Sequence, residues 1–105
     1  MTETVAVKLL TIVGEAVLTE RLLRDLTAAG ATGYTLSPAS GIGSGHMNPS
    51  TLDGENTRIE ALMDADAASR MLVMLEQRYF PYYAVVAWLS TVDVVRGHKY
   101  TARQS

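Results

Sequence analysis

Residues 38–57, PASGIGSGHMNPSTLDGENT, hold four of the chain's eight glycines and two of its three prolines. Loops of about 15 residues or more without regular structure are uncommon in a compact domain, and they usually serve function or are disordered. Read as an insertion, the stretch divides the remainder into two halves with the same pattern. That reading decides the fold.

Before the insertion, VAVKLLTIV (Val5–Val13) is short and rich in β-branched residues, and Gly14 bounds it, as expected of a largely buried strand. Leu18, Leu22, Leu26 and Ala29 then recur at helical spacing, with Glu20, Arg21, Arg24 and Asp25 on the opposite face and Gly30 placed to stop the helix. Tyr34 to Ser37 alternates briefly as a second strand, which Pro38 is expected to end.

After the insertion, TRIEALM (Thr57–Met63) sets Ile59, Ala61 and Met63 against Arg58, Glu60 and Leu62, the mark of a half-buried strand with two charges on one face. The period then changes. From Asp64, a suitable N-cap, Ala68, Met71, Leu72, Leu75 and Tyr79 follow helical spacing to about Arg78. Tyr82 to Val95 gives the strongest strand signal in the chain, and residues 101–105 are expected to fray.

The order strand, helix, strand, loop, strand, helix, strand predicts an α+β fold, a ferredoxin-like βαββαβ sandwich with a long loop between the second and third strands. Two helices cover only one face of a four-stranded antiparallel sheet. Val86, Trp88 and their neighbours make the last strand apolar on both faces, so the bare face is expected to be covered by other subunits of a homo-oligomer.

The bulk composition bounds the function. At 105 residues the chain makes one domain, and 48% hydrophobic with 19% charged residues lies in the globular range. A formal charge of −2 gives no net attraction to nucleic acid or anionic lipid, which leaves only a local basic patch as a route to either, and nucleic acid is not expected as a partner. The absence of cysteine removes disulfides, thiolate metal sites and thiol nucleophiles. The opening MTETVAVKLLTIVGEA lacks a basic region and carries Lys8 within its apolar run, so no signal peptide is expected and a cytoplasmic location is.

Two motifs could carry chemistry. SGIGSG (Ser40–Gly45) can point consecutive backbone N–H groups inward as an anion-binding nest, although it is neither a Walker-type loop nor a glycine-rich turn opening a helix. A plain surface loop is the alternative. RGHKY places Arg96, His98 and Lys99 just past a strand, and a guanidinium beside an imidazole makes a good polyphosphate clamp. Here the alternative is a solvated basic tail.

Catalysis finds little support. His46 and His98 are the only histidines, and neither has the spacing of a triad or a zinc site. Asp53 and Glu55 could join Glu60 around a divalent cation, yet the spacing matches no calcium or magnesium loop, so no metal site and no enzyme are expected. RYFPYY could stack RNA bases, but Pro81 marks a helix-to-strand turn, and packing is the commoner use of such aromatics.

TAAGATGYTLSPASGIGSGH (Thr27–His46) resembles the segment of PII signalling proteins in which a helix ends at Gly, a Thr-Gly pair opens the second strand and a GxG turn enters the T-loop. TVDVVRGHKY (Thr91–Tyr100) resembles that family's last strand and the basic residues after it. The resemblance runs from Val5 to Tyr100. It implies a single PII-like domain over 1–105, with a T-loop about 38–57 and a flexible tail at 101–105, and a homotrimer that binds adenine nucleotides in clefts between subunits.

Carried over on the matching positions, Thr32 and Gly33 face the base or ribose. Gly41, Ile42, Gly43 and Ser44 approach the phosphates, and Arg96 and His98, with Lys99 beside them, clamp these; Tyr83 stands in the turn before the last strand. The departures matter too. Gly45 and Asn56 stand where nitrogen-sensing members have Gln and Lys, which argues against 2-oxoglutarate sensing, and YFPYY replaces the usual GDGK turn. The chain thus resembles the PII-like branch associated with bicarbonate uptake and carboxysomes. The resemblance implies a sensor for AMP or ADP in preference to ATP, with bicarbonate as a candidate co-ligand. Its target would be a bicarbonate transporter or carboxysome component, reached through the T-loop without membrane insertion. A trimeric module of the same fold that ignores nucleotides, serving interaction or metal tolerance, is the alternative.

Overall fold

In the computed structural model, which describes residues 2–40 and 56–100, strand β1 (Thr4–Glu15) passes through one 3₁₀ turn, Ala16–Leu18, into helix α1 (Thr19–Ala29). Strand β2 (Thr35–Ala39), strand β3 (Asn56–Met63), helix α2 (Ala65–Arg78) and strand β4 (Val86–Val95) follow, and a second 3₁₀ turn, Gly97–Tyr100, closes the described chain. The strands form one antiparallel sheet in the order β2-β3-β1-β4. This is the ferredoxin-like α+β fold.

Strand alternation sorts the side chains onto two faces. Leu10 lies opposite Ala61 and Leu89, and Ile12 opposite Ile59 and Ala87. That face meets Leu22 and Leu26 of α1 and Met71 and Leu75 of α2 in a single core. Removing each such side chain from water contributes about 1.5–3 kcal/mol. The other face carries Leu9 opposite Leu62, Thr11 between Glu60 and Trp88, and Val13 between Arg58 and Val86. No helix covers it, and Val86 and Trp88 remain 53% and 45% exposed.

Local signals set the ends of the elements. Gly30, at φ 122°, ends α1 in a backbone region that L side chains avoid. Its N–H reaches the Thr27 carbonyl and the Ala31 N–H reaches Leu26, a Schellman-type cap. From α2, Arg70 Nε donates to the Ala29 carbonyl at 2.9 Å and fastens the two helices where α1 stops. At the start of α2 the Asp64 carboxylate accepts the Ala67 N–H at 2.8 Å, the expected N-cap.

The strands differ from their expected spans: β1 starts at Thr4 and runs through Gly14 to Glu15, and β3 starts one residue early at Asn56. β2 runs on through Pro38 to Ala39, with Pro38 opposite Thr57. β2 is an edge of the sheet, where a proline can keep its nitrogen on the unpaired side. β4 begins at Val86, not at Tyr82, because the Tyr79 carbonyl takes the N–H groups of both Tyr82 and Tyr83 and holds them in the turn after α2. Among the described residues no helix is long and apolar enough to cross a membrane.

Candidate functional site

The uncovered face of the sheet bears a cleft of about 420 Å³. Three strands and the closing turn build it: Leu9 from β1, Glu60 and Leu62 from β3, Gly33, Tyr34 and Thr35 at the start of β2, and Tyr100 from the 3₁₀ turn. Register explains the assembly, since Thr35 pairs with Glu60 and Leu62 with Leu9. Leu9 and Leu62 give apolar walls, and Thr35, Tyr34 and Tyr100 give hydroxyls. Glu60 gives the one formal charge among the lining residues.

Arg58, next on the same face of β3, holds the Glu60 carboxylate at 3.2 Å and lies over the Trp88 ring at 5.6 Å. A Cβ added to Gly33 would meet nothing within 4 Å, and its φ is not in the glycine-favouring range. Neither backbone nor packing therefore demands glycine at position 33. What a side chain there would consume is room at the cleft.

At the end of β4 the chain turns sharply. Arg96 takes φ 63°, the one positive φ of a non-glycine residue among those described. Gly97 is buried against β1, where an added Cβ would stand 2.6 Å from the Val5 Cβ. Side chains essentially never approach so closely, so only glycine lets the turn lie on β1. Arg96, His98 and Lys99 stay exposed at this end of the sheet, and the Lys99 ammonium lies 5.7 Å from the centre of the Tyr100 ring.

Of the residues expected in a site, the structure brings Gly33 into the cleft and sets the Arg96–Lys99 turn beside it through Tyr100. Thr32 precedes the cleft by one position and is exposed. Tyr83 stands apart, at the opposite end of β4, whose ten residues span about 30 Å. There its hydroxyl accepts from Arg21 Nη1 at 2.9 Å. Arg21 lies over the rings of Tyr79 and Tyr83, and the Tyr83 hydrogen bond raises its pKa. Tyr79 is fully buried and donates to Asp25 Oδ2 at 2.5 Å; burial first, and then that bond, push its phenol up to about 12. Gly41, Ile42, Gly43, Ser44, His46, Asp53 and Glu55 lie outside the described residues. Both stems of the segment containing them, Ala39 and Asn56, pair with each other at the Tyr83 end of the sheet.

Sequence reasoning did not single out Leu9, Tyr34, Thr35, Leu62 or Tyr100. The available signal was Arg58 and Glu60 on one face of a strand whose other face is apolar, since charges kept there call for a partner or a ligand.

The sequence model of the family described as Nitrogen regulatory protein P-II matches residues 7–99. The chain belongs to the P-II family. P-II proteins are signalling regulators, and this chain is a PII-like signalling protein. It is 42% identical to a protein of Thermus thermophilus described as a PII-like signaling protein, over 93% of this chain and 98% of that one, with a TM-score of 0.81. It is also similar to CPII of Thiomonas intermedia. The form of CPII bound to ADP, AMP and acetate matches at 26% identity and a TM-score of 0.84, and the form bound to ADP and bicarbonate at 25% and 0.83. Each covers 95% of this chain and 99% of CPII.

Proposed function

We propose that this P-II protein is a non-enzymatic sensor that binds adenine nucleotides, AMP or ADP in preference to ATP, in clefts between the subunits of a homotrimer. The observation that carries the proposal is the cleft on the uncovered face. Its apolar walls suit the faces of a purine. Glu60 and the Thr35 hydroxyl suit an exocyclic amine and ribose hydroxyls. Because its one charge is negative, it takes the uncharged end of the ligand and turns the phosphates away from Glu60.

Phosphate binding then falls to cations and amides outside the cleft lining, Arg96, His98 and Lys99 and the backbone N–H groups of Gly41, Ile42, Gly43 and Ser44, while Thr32 and Gly33 face the base or ribose. The basic turn and the Tyr83 end lie at opposite ends of β4, too far apart for one nucleotide to bridge within a chain. A site using both draws them from neighbouring protomers. The exposed apolar face with Val86 and Trp88 is the surface on which those protomers would meet. CPII, bound to ADP with AMP or with bicarbonate, supports the ligand class and makes bicarbonate the co-ligand of choice.

The signal follows from differential binding. A ligand that contacts the base of the T-loop, within residues 38–57, biases that segment toward one surface, and a coupling of about 1–3 kcal/mol would shift partner affinity about 5- to 150-fold. The partner is then a protein of inorganic-carbon metabolism.

Isothermal titration of AMP, ADP, ATP and cyclic AMP tests the reading. Saturable AMP or ADP binding is expected in the wild type. Gly33→Val should block it by filling the cleft, and Arg96→Ala should weaken it about 10- to 100-fold, the range of a lost charge-assisted hydrogen bond. Wild-type protein that binds none of the four is instead a nucleotide-blind tether.

A further inference from the structure

We infer that Tyr100 is a ligand-contacting residue, and that the closing 3₁₀ turn is a strap that lays its ring over the cleft to stack on a planar heterocycle. The inference rests on the nucleotide reading of that cleft and assigns part of its affinity to a residue outside the sheet.

Two features of the turn work toward one end. Arg96 adopts φ 63°, which arginine does not favour. Gly97 presses onto Val5 so closely that a Cβ would come within 2.6 Å of it. Together they lift the chain off the β4 edge and carry it over β1 on the uncovered face, against which the turn packs. A segment that only had to end would need neither. The outcome is that Tyr100, three residues beyond Gly97, is half-buried beside Gly33, Thr35 and Leu62 in the cleft wall.

The chemistry of that position is specific. An aromatic ring at the edge of an apolar slot offers a π face to a nucleobase, and such stacking is tolerant of base identity. The Lys99 ammonium, 5.7 Å from the ring centre, puts a cation at the same mouth, where the anionic part of a nucleotide would leave the slot. An aromatic face and a positive charge side by side fit a flat heterocycle with an anionic tail.

A plug makes the opposite prediction: if Tyr100 occupied the slot in place of a ligand, removing its ring would tighten binding. The experiment measures AMP and ribose 5-phosphate affinities by calorimetry for wild type, Tyr100→Ala and Tyr100→Phe. Stacking predicts AMP binding about 5- to 150-fold weaker in Tyr100→Ala and close to wild type in Tyr100→Phe, with ribose 5-phosphate affinity little changed throughout. Tyr100→Trp supplies a second readout, a fluorescence quench on adding AMP that exceeds any change from Trp88 in the wild type and is absent with ribose 5-phosphate. Wild-type AMP binding that Tyr100→Ala leaves equal or makes tighter overturns the inference and leaves the nucleotide reading standing. Absence of AMP binding to the wild type overturns both.

Discussion

The two faces of the sheet share the same backbone and differ in what they are finished with. On one, Leu10, Ile12, Ile59 and Ala61 are closed over by helices from their own chain and are at most 2% exposed. On the other, Val86 and Trp88 stay open, Arg58 and Glu60 pair across apolar surroundings, and a cleft lies at one end. The first face holds the fold together. The second leaves apolar surface exposed, so damage to each should show in different measurements.

The largest effect is expected from the closed face. Leu26→Ala, at a side chain with no exposure, should lower unfolding stability by about 2–5 kcal/mol in denaturant titration, before any change specific to ligand binding appears. A loss below about 1 kcal/mol would mean that the helices contribute little to closing that face. On the open face, Trp88→Glu should weaken self-association by about 30-fold or more while leaving the far-UV spectrum of the protomer native. Sedimentation velocity showing an unchanged oligomer would place the subunit contact elsewhere.

How much of this could be read from the chain depends on how local the cause is. The alternation of Ile59, Ala61 and Met63 against Arg58, Glu60 and Leu62 needs only the period of a strand, and Asp64 and Gly30 act within a turn of their own positions. The start of β4 was not legible, because it hinges on one carbonyl, that of Tyr79, capturing two amides. Tyr100 was less legible still. Its reach over β1 requires a positive φ at an arginine, which no propensity suggests, and a glycine whose meaning depends on Val5, at the far end of the sequence. The cleft combines residues from Leu9 to Tyr100 that only strand register makes neighbours. Gly41, Ile42, Gly43 and Ser44 remain expectations, outside the described residues.

The smallest effect sharpens the comparison at a polar contact beside the closed face, that of Tyr79 with Asp25. Tyr79 has its phenol raised to about 12, against about 10 for an ordinary tyrosine, so the folded state keeps a proton that the unfolded chain gives up. This contribution is complete below about pH 10 and is lost as the pH climbs toward about 12. Tyr79→Phe should remove that alkaline slope in stability, at a cost near neutrality of about 1.5 kcal/mol for the lost bond to the Asp25 carboxylate. An identical slope in the variant would assign the alkaline loss to another group.

Pro38 has a consequence for solubility. It sits in the outermost strand on the β2 side and has no amide hydrogen to offer. A strand from a stray chain trying to dock there would find a gap in the row of donors, so misassembly into extended cross-β stacks is discouraged along that margin. Exchanging Pro38 for valine would restore the missing donor and open that margin to fibre growth.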